Sequence, residues 1–188
     1  MRFPFLVFLL CHSVTFAAEK RKTAHREHEA HVHGGGTLEI AFDCLVGKME
    51  FRVSAEAIVG FEHQPVKDKD KKTFEDTRKI FENDIGKMVA FAGEIKCISK
   101  LEVIELSVKS GEDLTSSHIS AEKKEVHGEH SDFFTRYAVK CEKPLRGTEI
   151  KIDFAKFKKL KDLDITVLAG DLQKSAEYKG KIISIEMK

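Results

Sequence analysis

Histidine and carboxylate travel together in this chain. Eight of its nine histidines fall into three groups beside acidic residues. His25, His28, His31 and His33 share one run with Glu27 and Glu29. Glu62 directly precedes His63. His127 and His130 bracket Gly128 and Glu129 just before Asp132, with His118 a little upstream. Neutral imidazole is the commonest metal ligand near pH 7. Imidazole mixed with carboxylate suits zinc, and also nickel or copper, better than calcium or magnesium, which favour all-oxygen shells. Metal handling is therefore the first chemistry these residues propose.

A zinc site needs three or four ligands meeting at one point, with imidazole nitrogen ~2.0 Å from the metal. His31 and His33 lie on one side of an extended chain, because side chains there repeat with period 2. His25, His28 and His31, spaced by three, would line one side of a helix. Neither spacing completes a site. His127 and His130 are also three apart, Asp132 follows His130 at period 2, and Gly128 lets the chain bend around a cation. Asp132 opens the apolar run beginning at Phe133, which anchors this group best. Glu62 and His63 stand where an apolar run halts before Pro65, and a carboxylate there could ligate or fix an imidazole tautomer. Plainer readings stand beside these. His25 and His28 fit a tail with weak, non-specific metal affinity. His63 fits a hydrogen-bonded packing residue, and His118 an ordinary loop residue.

Other chemistries find little support. The chain has no H-E-x-x-H, no G-x-S-x-G and no phosphate loop, so it does not read as an enzyme. Gly34-Gly35-Gly36 precedes a strand pattern and reads as a hinge. Formal net charge is +1 and falls to 0 without Arg2, a balance that argues against nucleic acid as partner.

Elements must bring these groups together. Residues 1–17 have the form of an export signal: basic Arg2, an apolar run from Phe3, and Thr15-Phe16-Ala17 as cleavage site. That run is shorter than the ~20 residues a membrane span requires. Residues 18–36 should form a flexible His-rich tail. The remainder, 37–188, reads as one α+β metal-binding domain. Leu38, Ile40 and Phe42 alternate, as do Met49, Phe51 and Val53, predicting an antiparallel hairpin joined at Cys44–Gly47. Phe74, Phe81, Ile85 and Met88 predict a long amphipathic helix over 67–92. Strands are expected over 97–109, 133–141, 148–154, 163–168 and 181–187, with a short amphipathic turn or helix at 157–161. The pattern also allows two similar halves, 37–110 and 132–188, around a His-containing loop over 111–131, with no repeat to prove it. Three cysteines remain beyond the signal. In an oxidising compartment Cys97 and Cys141, each at the end of a predicted strand, are the favoured pair, which would close about 45 residues and stabilise the fold by about 4 kcal/mol. Three free thiols are the alternative.

The order and spacing of His31-Val32-His33-Gly34, Gly60-Phe61-Glu62-His63 and His127-Gly128-Glu129-His130-Ser131-Asp132-Phe133, behind an export signal and followed by Cys141, resemble the ZrgA-type family of periplasmic zinc-uptake proteins over nearly all of the chain. The resemblance implies zinc binding in the Gram-negative periplasm, with His31, His33, Glu62, His63, His127, His130 and Asp132 as ligand candidates. His25, His28 and His118 are lesser candidates. It also implies delivery of the metal to a zinc ABC transporter or its binding protein, and a cysteine pair matching Cys97 and Cys141. Cys44 has no counterpart, and the internal His-containing stretch is short. Two rival readings are a secreted zinc-dependent hydrolase and a structural or interaction domain whose histidines are incidental.

Overall fold

A computed structural model describes residues 35–108 and 131–188. In chain order these form β1 (Gly36–Asp43), β2 (Val46–Ser54), α1 (Ala55–Ile58), α2 (Asp68–Met88), β3 (Val89–Ala92), β4 (Ile98–Val108), β5 (Ser131–Lys140), β6 (Glu149–Ile152), β7 (Leu163–Ala169), β8 (Leu172–Tyr178) and β9 (Ile183–Glu186). Six strands build one sheet in the order β4-β5-β2-β1-β7-β8, and three build a second in the order β3-β6-β9. Each sheet mixes strands from before and after the 109–130 segment. Every pairing is antiparallel except β1 with β7.

The expected α+β class is overturned. Strand makes up 48% of the described residues against 19% helix, and one of the two helices has only four residues, so the protein is predominantly β. Four local readings account for the difference. The apolar run Met88-Val89-Ala90-Phe91-Ala92 suits helix or strand by pattern alone. In the fold the helix ends at Met88, and Val89–Ala92 pairs with Ile152–Glu149. At 154–160 the chain makes two successive i→i+3 turns, with the Phe157 N–H donating to the Phe154 carbonyl and Leu160 to Phe157, and not a helix. The short helix lies instead at Ala55–Ile58, within a run that reads as strand-like. β8 has small or polar residues and a weak apolar pattern. Backbone pairing to β7 through the Gly170-Asp171 turn makes it a strand.

The hairpin forms as its alternation dictates. Leu38, Ile40 and Phe42 of β1 and Met49, Phe51 and Val53 of β2 are buried, while their alternate neighbours face the opposite side. The turn is two residues, Cys44 and Leu45, with Cys44 at φ 54°. The buried face of the large sheet packs on α2 and the small sheet. Phe81 of α2 lies at the centre, within 5.6 Å, 4.8 Å and 5.3 Å, ring to ring, of Phe51, Phe133 and Phe157. Phe51 stacks on Phe154 at 4.9 Å. The fully buried Tyr137 donates its hydroxyl to the Phe81 carbonyl at 3.0 Å, tying β5 to α2. Burial pushes the Tyr137 phenol well above its ordinary pKa.

The opposite face of the large sheet is polar. Across β2 and β5 it carries Glu50 bonded to Arg136 at 2.6 Å, and Phe134 with the Arg52 guanidinium 4.6 Å above its ring. A disulfide joins Cys97 to Cys141, as expected. It clamps β4 to β5 beside the pair Ile98–Lys140, at the end of the sheet opposite Val108 and Ser131.

Candidate metal centre

The last residue of β2 determines what gathers at one end of the large sheet. Ser54 is in register with Asp132 of β5, and Asp132 with Ser107 of β4. Val53 is in register with Gly36, the first residue of β1. A Cβ on Gly36 would lie 2.4 Å from the Arg52 carbonyl oxygen, so only glycine lets β1 approach this closely. The ends of β2 and β4 and the starts of β1 and β5 therefore lie together.

From Ser54 the chain turns directly into α1, whose Ala55 and Ala57 are buried. Past Gly60, at φ 85°, it returns Glu62 to the strand end. There the Ser54 hydroxyl donates to Glu62 Oε1 at 2.9 Å. Glu62 thus stands beside Ser54, whose cross-strand neighbour is Asp132. Directly opposed residues in an antiparallel pair have Cβ atoms ~5 Å apart, which brings two carboxylates to one locality from positions seventy residues apart in sequence. The Asp132 side chain is only 11% exposed and lies 3.4 Å from the Arg52 guanidinium.

His63 follows at the margin, with its side chain 56% exposed. Its Nε2 is 3.1 Å from Asp70 Oδ2, in the first turn of α2, and its ring lies 4.9 Å from that of Phe61. A carboxylate on one imidazole nitrogen orients the ring and leaves the other nitrogen to ligate. Nδ1 is then the nitrogen suited to a metal.

Of the expected ligands, Glu62, His63 and Asp132 are described. His25, His28, His31, His33, His118, His127 and His130 lie outside the described residues. Glu62 and Asp132 are brought to one strand end, and His63 is turned toward α2. Their donor atoms do not close a shell by themselves. Among the described residues, the one trio of donor atoms all within 4.8 Å of one another belongs to Asp162, Asp164 and Glu177. Asp164 of β7 is in register with Thr37, which is in register with Arg52, so this trio stands near the same sheet end. Lys179 already fills it, with Nζ 2.8 Å from Asp162 and 2.7 Å from Glu177. Those two carboxylates hold the Lys179 ammonium well above its ordinary pKa.

Ser54, Asp70 and Arg52 are the partners that sequence reading missed. Ser54 and Arg52 act through strand register, for which residue type gives no signal. Asp70 had one available signal, as an acidic residue in the first turn of a predicted helix seven positions beyond His63. No helix among the described residues is long and apolar enough to cross a membrane. A family model described as "ZrgA family zinc uptake protein" matches residues 30–186. That span includes His31 and His33 and begins after His25 and His28. No curated protein matches the chain.

Proposed function

The chain belongs to the ZrgA family of zinc uptake proteins, and from that premise we propose that it captures zinc outside the cytoplasm and hands it to a zinc ABC transporter or to that transporter's binding protein. On this reading residues 1–17 are an export signal, 18–36 a collecting tail and 37–188 the binding domain, in the periplasm of a Gram-negative cell. The protein is a carrier and not a catalyst, and zinc is its cargo.

One observation carries the reading. Glu62, bonded to Ser54, and Asp132, in register with Ser54, are brought to the sheet end at which β1 and β5 begin, with His130 one residue before β5 and His33 three residues before Gly36 along the chain. Three residues span at most about 11 Å, a tether short enough for both segments to supply imidazoles to this end on the proposed reading. The proposed ligands are His31, His33, Glu62, His63, His127, His130 and Asp132. This mixed nitrogen and oxygen set suits zinc. In a test tube nickel and copper would compete, and copper would bind more tightly by the general order of divalent affinities.

Calorimetry on residues 18–188 tests this. Zinc should bind, and either His127→Ala with His130→Ala or Glu62→Gln with Asp132→Asn should weaken binding at least tenfold. Unchanged affinity in both double variants refutes the ligand set. Zinc found in protein purified from its native compartment would support the cargo.

A further inference from the structure

Far from that strand end, the polar face of the large sheet carries a checkerboard of lysine and apolar side chains. Lys140 of β5 lies in register between Val46 of β2 and Ile98 of β4. In the next row Ala138 lies between Lys48 and Lys100. Val46 is 54% exposed and Ile98 74% exposed, a poor arrangement for large apolar side chains unless something covers them. Val46, Ile98, Ala138, Lys96, Lys100 and Lys140 are among the walls of a groove of 590 Å³.

The charge around this groove is mainly positive. Lys48, Lys100 and Lys140 make no ion pair among the described residues, although many other lysines of the chain do. Glu142 is held by Lys96 at 3.3 Å, and Asp43 stands at the margin opposite Val46. We propose that the groove docks an acidic segment of a partner protein, an apolar side chain seated against Val46 and Ile98 with flanking carboxylates on Lys48, Lys100 and Lys140. A second copy of this chain fits less well, because a two-fold contact would set lysine against lysine.

Two features favour a ready-made site. The Cys97–Cys141 cross-link lies next to the Ile98–Lys140 pair and fixes two of the three strands that line the groove, which lowers the ordering cost of binding. Val46 is eight residues along β2 from Ser54, about 26 Å at 3.3 Å per residue. A docked partner would therefore leave the proposed metal end uncovered. The inference needs no metal and stands apart from the ligand assignment.

The test is a titration of residues 18–188 with a Glu-Glu-Leu-Glu-Glu peptide, followed by backbone amide shifts. The expected result is shift changes clustered at Val46, Ala138 and Ile98. Affinity should fall at least tenfold in Lys100→Glu with Lys140→Glu, and binding should weaken as salt rises. An unchanged Tm and an intact disulfide in the variant would show that it folds. Absence of binding overturns the proposal. So does equal binding of a Lys-Lys-Leu-Lys-Lys peptide, binding to phosphatidylglycerol vesicles but not to the acidic peptide, or sedimentation showing a dimer that Ile98→Ser abolishes.

Discussion

Ser54 and Asp132 oppose each other across β2 and β5, and the Ser54 hydroxyl holds Glu62 on the same spot at 2.9 Å. One small side chain thereby gathers two acids that arrive from different parts of the chain. Ser54→Ala should leave Glu62 without this donor, at a stability cost of about 1 kcal/mol. Zinc affinity should fall severalfold through loss of positioning alone. Calorimetry beside a thermal melt would separate the two effects, and a large loss of stability with unchanged affinity would argue against a positioning role.

Asp70 contacts the ring of His63 from α2. Partners of this kind typically contribute ten- to a hundredfold in metal affinity. Asp70→Asn should therefore weaken zinc binding about tenfold while the far-ultraviolet spectrum and Tm stay near those of the parent. An unaffected zinc isotherm would assign the pair to helix-end packing only.

Zinc binding to neutral imidazoles must compete with protons, whose ordinary imidazole pKa is ~6.5. Affinity should therefore drop steeply as pH falls below about 6, with protons released on binding at neutral pH. Calorimetry in buffers of different ionisation enthalpy would count those protons. A flat profile from pH 7 to 5 would exclude histidine as the main donor.

The Cys97–Cys141 bridge spans 44 positions. By the chain-entropy account, closing such a loop stabilises the folded state by about 4 kcal/mol. Reductant, or Cys97→Ser with Cys141→Ser, should lower the guanidinium midpoint accordingly. Cys44 is exposed and the one free cysteine among the described residues, so one thiol per chain should react in native, non-reduced protein of residues 18–188.

Burial raises the pKa of the Tyr137 phenol in the folded protein. A phenol raised above its unfolded value, ~10, contributes fully below pH 10 and loses that contribution as pH climbs toward the folded value. Stability should hold up to about pH 10 and then decline. Tyr137→Phe should decline less, after an initial cost of about 1 kcal/mol for the lost bond to the Phe81 carbonyl. Denaturant midpoints between pH 8 and 11 would decide it.

Much of this fold could be read from period alone. The buried face of the β1–β2 hairpin is spelled out by the alternation from Leu38 through Val53, whereas its turn is the two residues Cys44 and Leu45 and not the expected four of Cys44–Gly47. Phe81 and Ile85 likewise declare the buried face of α2. Period fails where two structures want the same apolar residues, as at Val89–Ala92, and where backbone pairing alone makes a strand, as at Leu172–Tyr178. In the candidate centre, Glu62, His63 and Asp132 stand out by type. Their partners Ser54 and Asp70 do not, because those contacts depend on register and on the path of the chain after α1.

The cross-link at Cys97 and Cys141 has a bearing on how this chain can change over generations. It secures β4 and β5 at one extremity, so their alignment does not depend on how much sequence joins Val108 to Ser131 at the other. By loop-closure entropy, doubling the length of a connection costs only about 0.6 kcal/mol. Residues can therefore be added to or deleted from positions 109–130 at little thermodynamic penalty while the scaffold stays as it is.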